Sequence, residues 1–159
     1  MGKKKIEKMA RALLADSEHG QAALLELVRS RHFDRDALLL IDILKKYIKK
    51  KGYADYGAFL LFCVIQEIAK EAATNAIADL LFMSEIYVRQ DRSLRGRLLE
   101  VLGTIGNCQT AEKIREAAPL FEGIKYTKID GVDSPKRRRK HDMEEIKIAI
   151  QGIAMRKGC

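Results

Sequence analysis

The sequence predicts an all-α protein. Apolar residues recur at the i, i+3, i+4 and i+7 spacing of a helix face through nearly every long segment. Only two prolines, Pro119 and Pro135, interrupt the 159 residues. No segment shows the period-2 alternation of a strand between credible turns. The apolar share of 47% and charged share of 33% are those of a globular chain, not a disordered one. At this length residues 1–159 read as one domain with its own core.

The elements follow in order. Ile6, Met9, Leu13 and Leu14 mark a first amphipathic helix, broken near Asp16. Ser17 is placed to cap a second, with Leu24, Leu25, Leu27 and Val28, which fades after Arg31. Asp34 opens a third, in which Ala37, Leu40, Ile41, Leu44 and Ile48 form the apolar stripe. It closes on Lys49, Lys50 and Lys51, whose charge suits the helix dipole, and on Gly52. A fourth, from near Asp55, is apolar on almost every side from Phe59 to Ile68 and is predicted to be central.

A fifth helix is predicted from Thr74 to Gln90, and a sixth from Asp91 to Gly106 with Leu94, Leu98, Val101, Leu102 and Ile105. A seventh follows Asn107, with Ala111, Ile114 and Ala118, and Pro119 is expected to weaken or stop it. From about 123 to 141 the helical period disappears, and Gly131, Asp133, Ser134 and Pro135 supply turn chemistry, so this stretch is predicted to be an exposed loop. Asp142 with Glu145 reads as the capping box of a last helix, about 143–156, carrying Met143, Ile146, Ile150 and Ile153. Short turns between helices predict antiparallel neighbours.

Helix starts recur: Asp55 and Asp91 lie 36 residues apart, and Asp34 and Thr74 lie 40 apart. That is close to the ~40–47 residues of HEAT and armadillo units. The segment Asp91 to Asn107 resembles the second helix of a HEAT-like repeat. The family's leading aspartate, apolar-Arg pair and Leu-Gly-x-Ile-Gly close match Asp91, Leu94 with Arg95, and Leu102-Gly103 with Ile105-Gly106. Only about Asp91 to Glu116 carries the match. The resemblance implies antiparallel helix pairs stacked as a short α-solenoid; an irregular helical bundle is the alternative. Gly103 would let a neighbouring helix approach closely, and Gly106 would permit a left-handed turn.

The formal charge is +8, of which Lys136, Arg137, Arg138, Arg139 and Lys140 supply five and Lys3, Lys4 and Lys5 three, leaving the rest formally neutral. The run at 136–140 is the sharpest feature, able to neutralise phosphates, bind an acidic protein or resemble a nuclear import signal. Aromatic residues are only 6% of the chain, so stacking on single-stranded bases is poorly served. The three cysteines, Cys63, Cys108 and Cys159, show no metal-ligand spacing. No disulfide framework is expected, and a reducing cytoplasm fits, or a nucleus if the cell is eukaryotic. Cys108 follows Asn107 at a helix start but has no histidine near it in sequence, so it reads as a partly buried thiol.

The charged N-terminus has no signal-peptide pattern. The longest apolar stretch, Gly57 to Ile65, is far short of the ~20 residues of a membrane span. His19, His32 and His141 stand in no catalytic or zinc arrangement, and no nucleotide-binding loop is present, so no catalytic residue, metal or cofactor is assigned. The sequence therefore predicts a non-catalytic module that binds another protein or a peptide. A nucleic-acid-binding protein using 136–140 is the first alternative. An enzyme on a HEAT-like scaffold trails, since alkylpurine DNA glycosylases of that architecture use tryptophan around the lesion and this chain has none.

Overall fold

A computed structural model describes residues 2–15, 17–31, 34–88, 93–126 and 134–159, without the side chains of 17–19, 30, 31 and 34. Asp91 of the repeat motif, His32, and the turn residues Gly131 and Asp133 lie outside these residues, as do the side chains of His19 and of the predicted caps Ser17 and Asp34. Among the described residues there are eight α-helices and no strand. They are α1 (Gly2–Ala15), α2 (Ser17–Arg31), α3 (Asp34–Lys51), α4 (Tyr56–Ile68), α5 (Thr74–Leu80), α6 (Ser93–Ile105), α7 (Cys108–Glu122) and α8 (Pro135–Lys157). The helices gather into two compact units, Met1–Ala76 and Ile77–Cys159.

In the first unit α4 packs against α1, α2 and α3, which is why its sequence is apolar all round. Leu61, Phe62, Val64 and Ile65 are buried against Ile6, Leu13, Leu24, Leu40, Leu44 and Ile48. α1 and α2 pack closely as a pair. Gly20 makes that possible, since a Cβ there would stand 2.7 Å from the Leu13 Cα. Gly52 follows α3 with φ 86°, the left-handed position beyond the last helical residue.

The α3–α4 corner is held by Asp55. One carboxylate oxygen accepts the Ala58 amide at 2.9 Å, capping α4. The other accepts the Tyr47 hydroxyl at 2.5 Å and faces the Lys51 ammonium at 2.9 Å. Burial works to raise the Asp55 pKa, but hydrogen bonds from Tyr47, Lys51 and the Ala58 amide outweigh it and hold the group below its ordinary value. A depressed carboxyl contributes stability above its unfolded pKa and loses it as pH falls through the folded one. We therefore expect wild-type denaturant midpoints to fall below about pH 4, with Asp55→Asn showing a weaker acid dependence. Asp55→Ala should cost about 1–2 kcal/mol at neutral pH, the usual loss for a missing cap.

In the second unit α8 packs along both α6 and α7, which touch each other little. Leu94, Leu98 and Leu102 of α6, Ile114 and Phe121 of α7, and Ile146, Ala149 and Ile153 of α8 are buried. α7 starts as predicted: the Asn107 side chain accepts the Thr110 amide, and the Thr110 hydroxyl accepts the Asn107 amide.

Several boundaries differ from those the sequence suggests. The predicted fifth helix ends at Leu80, and a separate 3₁₀ turn spans Ser84–Tyr87. Side chains claim the carbonyls involved: the Tyr87 hydroxyl donates to the Leu81 oxygen at 2.5 Å, and Arg95 donates to the Ile86 oxygen at 2.9 Å. α7 runs through Pro119 to Glu122, because Pro119 lies on the exposed side, where water can serve the carbonyl left without a donor.

The last helix begins at Pro135, not at 143. Its N-cap is Ser134, whose hydroxyl accepts the Arg137 amide at 3.3 Å, with proline in the first turn where its missing N–H costs nothing. Lys136 to His141 are thus helical, and Asp142 is buried inside the helix instead of capping it.

The repeat glycines divide. A Cβ on Gly103 would stand 3.0 Å from the Ala149 Cα, so α6 and α8 meet here at backbone distance. Gly106 is not left-handed; among the described glycines only Gly52 and Gly158 have positive φ. It is needed for space, since a Cβ would fall 2.4 Å from the Leu102 oxygen and 2.8 Å from the Thr110 methyl.

Cys108 and Cys159 form a disulfide with Cα atoms 5.9 Å apart, against the expectation of free thiols. The start of α7 and the end of α8 come together although 51 residues separate them, a proximity no local pattern announces. With this bond present, cysteine usage no longer argues for a reducing compartment. Cys63 takes no part in the disulfide and is half-buried in α4.

Gly103→Leu is expected to destabilise the second unit by about 1–3 kcal/mol, because the atom it meets is backbone and cannot rotate away. Denaturant melts of the variant check this, and unchanged stability would contradict the close approach.

Candidate functional site

The functional residues the sequence singles out converge on α8 and the faces of α6 beside it. Leu94 and Leu102 are buried, Ile105 is half-buried, and Gly103 and Gly106 sit at the contacts above. Arg95 is 1% exposed and serves the fold: besides Ile86 it reaches the Tyr126 hydroxyl at 3.5 Å and lies over the Tyr87 ring. The buried Tyr126 hydroxyl in turn donates to the Asp142 carboxylate. Arg138 stacks over the Tyr126 ring, 4.7 Å from its centre, and is itself buried. Burial pushes the Tyr87 phenol well above its ordinary pKa, against the opposing charge of Arg95.

The five-residue basic run is therefore not uniform. Arg138 belongs to the interior. Arg139 is exposed but donates to the Ile124 carbonyl at 2.9 Å. Lys136, Arg137 and Lys140 are exposed on the first turns of α8. No acidic residue stands in that first turn, so positive charge meets the positive end of the helix dipole. The pairings of Arg138 and Arg139 with the packed side of the unit hold the helix start against that repulsion.

One turn on, His141, Asp142 and Glu145 bring a ring nitrogen and two carboxylate oxygens within 4.8 Å of one another. All three are named from the sequence, but Asp142 and Glu145 are assigned there to a capping box and His141 to no site, because H-D-x-x-E matches no common metal spacing. His141 Nδ1 lies 3.3 Å from Glu145. The donor set fits a metal poorly. Asp142 already accepts the Tyr126 hydroxyl, and Arg138 stacks on that same ring. A dication would compete with both, beside the most basic stretch of the chain.

Alongside, a cleft of about 370 Å³ opens between α6 and α8. Its floor is made of Leu99, Gly103 and Ala149, and Glu100 and Glu145 flank it. On its α8 rim Ile148 is 64% exposed, and two turns along the same face Met155 is 88% exposed. The close approach at Gly103 and Gly152 creates this groove, since small residues bring the helices together without filling the surface between them. The first unit carries a cleft of about 600 Å³, lined by Gly2 and Lys3 of α1 and by Arg35, Asp36 and Asp42 of α3, with charges of both signs. Comparison of the chain with protein-family models, curated proteins and solved structures finds no match.

Tyr126 links three buried charged groups by one hydroxyl and one ring. Tyr126→Phe keeps the ring under Arg138 but removes the donor to Asp142. It should destabilise the second unit by about 1–3 kcal/mol, the cost of leaving a buried polar group with a bond unmade. Thermal melts of the variant measure it.

Proposed function

We propose that this chain is a non-catalytic protein-interaction module whose binding face is the α6–α8 groove of the second unit. The observation that carries the proposal is the groove itself: an apolar floor, an exposed Ile148 on the rim and carboxylates on either side. A single exposed isoleucine is ordinary; what supports the reading is its place on the rim of an apolar groove, surface that a partner's side chain would cover. The HEAT-like architecture is part of the proposal. Its support is the Leu94-Arg95 pair, the Leu102-Gly103-x-Ile105-Gly106 close and the packed pairs α1–α2 and α3–α4. The position of α8, packed on both α6 and α7, departs from simple stacked pairs and supports the irregular-bundle alternative for the second unit. No helix among the described residues is long and apolar enough to cross a membrane.

A nucleic-acid reading is favoured by one observation: the exposed cations at the start of α8 have no acid in the first turn, and an anion there would relieve their repulsion.

Two experiments decide. A photo-cross-linking residue placed at Ile148 should capture a single protein. Its measured affinity for the purified chain should fall roughly tenfold or more with Ile148→Asp and stay unchanged with Lys45→Glu, in line with truncation at an interface centre. An affinity that Ile148→Asp leaves unchanged, or that Lys45→Glu lowers equally, would remove the proposal. Binding of duplex DNA should be weak, with a shallow salt dependence. A steep slope, of about −0.9 per phosphate contact, that collapses when Lys136, Arg137 and Lys140 become Gln would establish the alternative. Arg138 must be spared in that variant, because it is packed on Tyr126.

A further inference from the structure

We propose that the Cys108–Cys159 disulfide is a reversible thiol-exchange site that fastens the last turn of α8 to the start of α7.

The two sulfurs stand in unlike surroundings. Cys108 is the first residue of α7, half-buried, and follows the capping residue Asn107. Cys159 is exposed and follows Gly158, which ends α8 in a left-handed conformation with φ 75°. A low-molecular-weight thiol therefore reaches the Cys159 sulfur more readily. The unbonded amides at the start of a 15-residue helix also make the Cys108 sulfur the better leaving group.

The chemistry closes with that thiol as reductant. Its thiolate attacks Cys159 Sγ, the protein S–S bond breaks, and the electron pair leaves on Cys108 as a thiolate. A second thiol molecule attacks the resulting mixed disulfide, releasing Cys159 as a thiol and carrying away the oxidised small disulfide. The protein gains two electrons and two protons, which the two small thiols supply. The oxidised small disulfide reverses the sequence.

What the bond holds is limited and identifiable. Beyond Ile153, which is buried, residues 155–159 are exposed, so little apolar burial retains the end of α8. Arg156 also ties it, donating to the Gly103 carbonyl at 2.7 Å and the Gly106 carbonyl at 3.2 Å. Those carbonyls belong to the last turn of α6 and to Gly106, the residue just ahead of Asn107 and Cys108. Arg156 and the disulfide thus anchor the same turn of α8 to the same corner, one by hydrogen bonds and one covalently. Opening the bond removes the covalent anchor from that corner and leaves the Arg156 hydrogen bonds in place.

The test uses the full chain, purified without reductant and equilibrated in mixtures of reduced and oxidised glutathione. Acid quenching, alkylation and mass spectrometry give the redox state, and hydrogen exchange is followed in parallel. We expect the native protein to interconvert between disulfide and dithiol forms. In Cys108→Ser, where no intramolecular bond can form, glutathione should add to Cys159. Amides of 154–158 should exchange roughly tenfold faster in the dithiol form, with the middle of α7 unchanged. Cys159→Ser should reproduce that exchange pattern with no reductant present. The proposal is overturned if the bond resists glutathione until denaturant is added, if it never forms in oxidised glutathione, or if protection at 154–158 is the same in both redox states.

Discussion

The second unit depends on the placement of Tyr126. Its hydroxyl donates to Asp142 and receives Arg95, and its ring supports Arg138. One side chain outside any helix thereby joins α6 to two successive turns of α8. Burying two arginines and an aspartate is costly unless each is bonded and the charges offset one another. The arrangement therefore admits few alternatives: sliding α8 by one residue would turn Arg138 and Asp142 away from Tyr126 together. The backbone contact of Gly103 with Ala149 has the same dependence on register, because only a small residue can occupy that point on α8.

This constraint explains which parts of the molecule were legible in the sequence. Helical periodicity located the core faces of α3 and α6, because burial on one face is what produces the period, and the apolar run of α4 marked it as central. The starts of α4 near Asp55 and of α7 after Asn107 were legible, and both residues prove to be caps, which is local chemistry within a few residues. Gly103 was legible through its motif and for the right reason, while Gly106 was the right residue for the wrong one: it clears Leu102 and Thr110 instead of turning left-handed. The start of α8 was misread because Ser134-Pro135 serves equally as a turn and as a cap followed by proline in the first turn. A run of five cations looks like a solvated loop until Tyr126 supplies a reason to bury one of them. The disulfide was not legible at all, since three cysteines with no regular spacing carry no pairing information.

The same constraint divides the basic run by role. Arg138 is interior and Arg139 is tied to a carbonyl, whereas Lys136, Arg137 and Lys140 lie on the outer surface of the first turns. Charge count alone therefore overstates what this segment can offer an anionic partner. The groove between α6 and α8 is a consequence of the close approach at Gly103, so the feature that packs the unit also shapes its proposed binding face. The end of α8 completes the picture, with Arg156 and the disulfide anchored on the turn that follows Gly103.

The central claim is that α8 is helical from Pro135 and carries its cations on a packed helix. Backbone Cα chemical shifts over 135–146 test it most directly. The account predicts continuous helical shifts from Arg137 through Asp142 into Ile146. Random-coil shifts that persist up to Met143 would contradict it, returning Lys136 to Lys140 to an exposed loop and leaving Arg138 without its place on Tyr126.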